Sequence, residues 1–78
     1  MVAQNAELGD VLKQLLLRLN EEQRLVVILR DVQGFSYEQI AQMLSLNLNT
    51  VKSRISRGRQ NLRDWIGQNT ELFDSGSV

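Results

Sequence analysis

Apolar residues recur along this chain at helical rather than strand spacing. From Ala6 to Leu19 they fall at Leu8, Val11, Leu12, Leu15, Leu16 and Leu19, the i, i+3, i+4, i+7 rhythm of an amphipathic helix. Asn5 precedes that rhythm as a candidate N-cap, and Glu7 is well placed for the first turn. Residues 1–5 lack periodicity and are expected to be disordered. Leu17 points away from the stripe, so it is either an isolated solvated leucine or a contact for a neighbouring domain or partner. A second helix is predicted to open at Asn20-Glu21-Glu22-Gln23, where Asn20 caps and Gln23 reaches back. Leu25, Ile28, Leu29 and Val32 give it one apolar face, which Val26 and Val27 widen. A helix this apolar is expected to be buried on more than one side, at the centre of the core. Gln33-Gly34 ends it, glycine supplying the left-handed position after the helix, and Phe35 is expected to pack back on the core.

Ser36-x-x-Gln39 repeats the capping-box logic and opens a third helix, with Ile40, Met43 and Leu44 as its buried face and Ala41 where a close crossing needs a small residue. Ser45-Leu46-Asn47 reads as a tight turn. Asn47 then caps a fourth helix, with Thr50 at the third helical position. Along that helix Val51, Ile55, Leu62, Trp65 and Ile66 face inward, and Gly58 lies on the same side. Glycine inside a helix costs ~1 kcal/mol relative to alanine, so close packing against another helix is the use expected of it. From Gly67 on, the sequence turns small, polar and acidic, and a flexible tail over residues 67–78 is expected, with Leu72 and Phe73 as possible docking residues. The pattern predicts an all-α, four-helix domain over residues 6–66 whose last two helices form a helix-turn-helix.

Composition narrows the picture. A chain of 78 residues supports one core worth only ~3–5 kcal/mol. Proline, cysteine and histidine are all absent, so neither a disulfide framework nor a Cys/His metal site stabilises the fold, and no cofactor is implied. Lack of cysteine fits a reducing compartment, and neither a secretory signal nor an 18-residue apolar run is present; a cytoplasmic location is expected. Without a nucleophile–base pair, a Gly-rich phosphate loop or paired acids in a pocket, an enzyme is not expected. Glu21-Glu22 is better explained by helix-start electrostatics than by catalysis.

Charge layout carries the functional signal. The formal net charge is zero, yet Lys52, Arg54, Arg57, Arg59 and Arg63 follow one another with no acid between Thr50 and Arg63. Electrostatic fields act over ~8–10 Å in physiological salt, so local clustering outweighs the total. In a helix-turn-helix the second helix enters the major groove and its N-terminal half meets base edges. Thr50, Ser53 and Arg57 share one face at i, i+3, i+7, flanked by Lys52 and Ser56, and Arg57 has the donor fork to bind guanine bidentately. Arg54 and Arg59 lie on the helix flanks, where phosphates are the expected partners. A merely solvated basic face is the competing reading, and the preceding helix-turn-helix pattern weighs against it.

Residues from about Leu16 to Leu62 resemble region 4 of bacterial sigma factors of the extracytoplasmic-function group. The resemblance rests on LRLNEEQRLVVILRDVQGFSYEQIAQMLSL and NTVKSRISRGRQNL, with the G-x-S-Y-E-Q-I-A and T-V-K-S-R-x-x-R-x-R runs in the family's order. It implies recognition of the promoter −35 element by the fourth helix, with Thr50, Lys52, Ser53, Ser56 and Arg57 facing bases and Arg30, Tyr37, Arg54 and Arg59 holding phosphates. It also implies docking on the flap of the RNA polymerase β subunit and capture by an anti-sigma factor. Response regulators carry a related four-helix module, but with histidine after the T-V-K core where this chain has Arg54. A protein-interaction module whose DNA face is covered by a partner is the other alternative. Ser45 stands where the family often has glycine, and Asn47 and Asn49 replace the usual proline or serine and glycine. Region 2, which opens the −10 element in the family, has no counterpart in these residues, as expected of a fragment or excised domain.

Overall fold

The computed structural model describes residues 2–68, with side chains from residue 9 onward. Among them lie four helices and no strand: α1 (Val2–Leu16), α2 (Glu21–Val27, continued by a π-wound turn Ile28–Val32), α3 (Tyr37–Leu44) and α4 (Leu48–Gln68). The order and number are those expected. Helix α1 begins at Val2, so Asn5 lies within it rather than before it. The tail expected from Gly67 is helical through Gln68, and Leu72 and Phe73 lie outside the described residues.

Local chemistry fixes the starts and stops. The Asn20 side chain accepts from the Gln23 amide at 2.8 Å, satisfying one of the free N–H groups at the start of α2. Ser36 and Gln39 form a full reciprocal capping box, with bonds of 3.0 and 2.9 Å. Asn47 caps α4, though its side chain accepts from the Asn49 amide, at 2.7 Å, and not from Thr50. After α2, Gly34 takes φ +82°, while the Phe35 amide closes back on the Leu29 carbonyl at 3.0 Å. Ser45 ends α3 in the left-handed region, at φ 55° and ψ 46°. It is the one non-glycine residue with positive φ among the described residues. The Leu46 amide then bonds the Ala41 carbonyl at 2.8 Å, and Leu46 drops onto the core.

Val26, Leu29, Ile40, Val51 and Ile55 form the central cluster, with Phe35, Tyr37, Ala41, Leu44 and Leu46 packed against it. Helix α4 lies across α2 and α3, and at the α2 crossing Gly58 is buried. A Cβ built there would meet Val27 Cγ2 at 2.9 Å, the close approach that the sequence led us to expect.

Three expectations about burial fail. Helix α2 turns Val26, Val27 and Leu29 inward and leaves Leu25 and Val32 about half exposed, whereas Leu25 and Val32 were expected on its buried face. Its apolar residues nearly encircle the axis, so periodicity alone could not choose a face; the crossing at Gly58 chose it. Met43 of α3 is likewise half exposed rather than buried. Of the apolar stripe expected on α1, Leu19, which lies beyond the helix end, is buried, while Val11 and Leu12 are nearly half exposed.

Candidate nucleic-acid interface

The capped turn Ser45–Asn47 delivers α4 across the core, with Val51 and Ile55 fully inside. Those two residues fix the helix's rotation. At 100° per residue, Asn49, Ser53, Ser56 and Gln60 must then lie away from the core, and all four are exposed. Thr50 and Arg57 sit at one edge of this outward face. Arg57 is exposed and Thr50 half-buried. The i, i+3, i+7 face of Thr50, Ser53 and Arg57 therefore exists as a surface on the N-terminal half of α4.

On the opposite edge the helix faces the start of α3. Lys52, Ile55, Ser56, Arg59 and Arg63 line an open groove of about 350 Å³ together with Tyr37. Lys52 and Ser56, expected beside the base-reading face, thus share a cleft with Arg59 and Tyr37, both expected to meet phosphate. Arg63 joins this group without having been singled out, although its spacing of four from Arg59 is a helical-neighbour signal in the sequence.

The four expected phosphate ligands all have partners within the domain. Arg30 donates to the Phe35 carbonyl at 3.0 Å and stacks 5.0 Å above the centroid of the Tyr37 ring, within cation–π range. Arg54 lies 3.5 Å from the Glu22 carboxylate, which is itself 67% exposed. Arg59 grips Asp31 bidentately: Nε donates to Oδ2 at 3.0 Å and Nη2 donates to Oδ1. This hydrogen-bonded carboxylate holds the Arg59 pKa above its ordinary value, partial burial opposes the rise, and the nearby Tyr37 adds to it. Lys52, Arg57 and Arg63 have no carboxylate within ion-pair distance among the described residues. Sequence reasoning missed Asp31. It lies 28 residues from Arg59, and no local spacing connects the two.

A second surface lies on the far side of α2. Leu16, Leu17 and Ile28 form an apolar groove of about 240 Å³, edged by Lys13 and Arg24. Arg24 is tied down by bonds from Nε to the Leu16 carbonyl and from Nη2 to the Leu19 carbonyl, at 3.1 and 2.9 Å, which pins the α1–α2 turn. Leu17 is 61% exposed at this groove. Among the described residues there is no cluster of potential metal ligands, and no helix is long and apolar enough to cross a membrane.

The family model for Sigma-70, region 4, matches residues 9–62, from the second half of α1 through most of α4. The chain is 44% identical over 66 residues to the ECF RNA polymerase sigma factor SigE of Mycolicibacterium smegmatis, covering 85% of this chain and 26% of that protein. It is 37% identical over 57 residues to the ECF RNA polymerase sigma factor SigW of Bacillus subtilis, covering 73% and 30%. To the ECF RNA polymerase sigma-E factor of Escherichia coli K12 it is 38% identical over 61 residues, covering 73% and 32%. The chain spans about a quarter to a third of the length of these curated relatives. With α2, α3 and most of α4 inside the matched residues, the chain belongs to the sigma-70 region 4 family.

Proposed function

We propose that this domain reads the promoter −35 element within a cytoplasmic sigma factor, directing RNA polymerase to stress-type promoters without itself doing chemistry. The observation that carries the reading is the outward face on the first half of α4, where Ser53 and Arg57 are exposed and Thr50 is half-buried at its edge. It is held at a fixed rotation by the buried Val51 and Ile55. Thr50, Lys52, Ser53, Ser56 and Arg57 meet bases, and Arg30, Tyr37, Arg54 and Arg59 meet phosphates. Arg57 suits bidentate recognition of guanine, worth ~1–3 kcal/mol of discrimination, because among the described residues no carboxylate occupies its fork.

A domain this small makes few base contacts and needs a second anchor. The apolar groove of Leu16, Leu17 and Ile28 supplies one. In this reading it accepts the flap of the polymerase β subunit, and an anti-sigma factor captures the domain by competing for the flap or for DNA. The exposed Leu25 and Val32 favour such a partner, since both are large apolar side chains left uncovered on α2.

The test is a comparison of duplexes. A binding selection from random DNA, with the domain tethered to the polymerase flap, yields the preferred −35 sequence. Arg57→Ala then weakens binding to that duplex more than to a scrambled one. Equal losses on both duplexes would remove Arg57 as a base reader.

A further inference from the structure

Asp31 and Arg59 form the closest ion pair on the α4 surface, and nothing in the domain's folding logic requires it. The two side chains are 37% and 39% exposed, so the pair lies at the surface rather than in the core. Asp31 projects from the π-wound turn Ile28–Val32, a winding that is often found at functional sites. Arg59 lines the groove that also holds Tyr37, Lys52, Ser56 and Arg63.

We propose that Asp31 holds Arg59 in reserve and so lowers the domain's affinity for the DNA backbone whatever the base sequence. The inference rests on the reading of α4 as the DNA-facing helix. The carboxylate takes Nε and Nη2, one whole edge of the fork. Bidentate geometry fixes a guanidinium more firmly than a single contact does. A phosphate entering the groove therefore meets Lys52 and Arg63 as full charges and Arg59 as half of a neutral pair. Glu22 does not do the same for Arg54, because its single contact is at 3.5 Å and the carboxylate is mostly solvated.

Non-specific binding depends on how many phosphates are neutralised, each adding roughly −0.9 to the slope of log affinity against log salt. Withholding one arginine removes about one such unit. At about 0.1 M salt that unit corresponds to roughly eightfold in affinity. Thr50, Ser53 and Arg57 lie outside the groove that holds Arg59, and a phosphate contact carries no sequence information, so the loss falls on random duplex and cognate duplex alike in energy.

The experiment measures affinity of the full chain for a random-sequence 30-base-pair duplex across a salt series, for wild type, Asp31→Asn, Arg59→Gln and the double variant, with thermal melts of each. Asp31→Asn is expected to tighten binding about fivefold to tenfold and to steepen the salt slope by about one unit. Arg59→Gln is expected to cost less in wild type than in the Asp31→Asn background, where it removes the whole gain. A general field effect of one acid predicts instead that Arg59→Gln costs the same in both backgrounds, and that result overturns the proposal. Weaker binding by Asp31→Asn with an unchanged melt overturns it too, since it would make Asp31 a positioning partner. Arg57→Ala is the control on the underlying reading. Loss of binding there without coupling between Asp31 and Arg59 rejects this proposal alone, whereas binding indifferent to Arg57, Lys52 and Arg59 together rejects the DNA-facing assignment of α4.

Discussion

Replacing Gly58 with alanine sets two effects against each other, and the structure decides between them. Helix propensity alone favours the substitution by ~1 kcal/mol, since alanine is the best helix former and glycine among the poorest. Packing opposes it. The new Cβ would lie 2.9 Å from Val27 Cγ2 and 3.4 Å from Gln23 Cβ, where carbon pairs are most comfortable at ~3.5–4.0 Å. Val27 cannot swing aside cheaply. It is 3% exposed, and a β-branched side chain in a helix has one strongly preferred rotamer. Either the rotamer strains or α2 and α4 separate, and overpacking of this kind costs ~1–3 kcal/mol. The net expectation is destabilisation by about 1 kcal/mol, or ~4–8 °C in Tm for a domain of this size. Urea and thermal unfolding, followed by circular dichroism, give the value. The same substitution placed on Val27→Ala removes the opposing methyl, so there Gly58→Ala should be neutral or stabilising, a coupling of at least ~1 kcal/mol. A stabilisation by Gly58→Ala in the wild-type background would refute the close crossing of α2 and α4.

Three further outcomes are expected. Ser45→Gly should raise stability by ~0.5–1 kcal/mol in urea unfolding, because the left-handed conformation at φ 55° costs serine more than glycine; DNA affinity should stay within twofold, roughly, as the turn is already in that geometry. Ile55→Ala deletes a side chain only 1% exposed, and its cost of ~2–5 kcal/mol rivals the total available to so small a core, so the cooperative melt should vanish near room temperature. Leu17→Asp changes a largely exposed position and should alter Tm little, within ~0.5 kcal/mol, while abolishing calorimetrically measured binding to the β flap.

The sequence by itself determined the elements and their order. Capping signals at Asn20, Ser36 and Asn47 are local, because a side chain need reach only two or three residues along its own chain to satisfy a backbone donor. The inward face of α4 was legible for the same reason: Val51 and Ile55 are apolar islands among polar neighbours, so periodicity leaves them one way to turn. Once that face is set, the outward position of Ser53 and Arg57 follows from helix geometry. The glycine at 58, an exception to good helix chemistry, announced a close crossing that the structure contains.

Tertiary structure alone decided what periodicity leaves degenerate. Helix α2 is apolar on nearly every side, so Leu25 and Val32 were as good candidates for burial as Val26 and Val27; the crossing partner chose between them. The same holds for the apolar groove, which needs the turn after α1 tied back by Arg24 before Leu16, Leu17 and Ile28 become neighbours. Most of all it holds for charge. Five cations in one stretch look equivalent when read along the chain, because an ion pair depends on distance in space. Folding brings Asp31 to Arg59 and Glu22 to Arg54 and leaves Lys52, Arg57 and Arg63 free of carboxylates among the described residues.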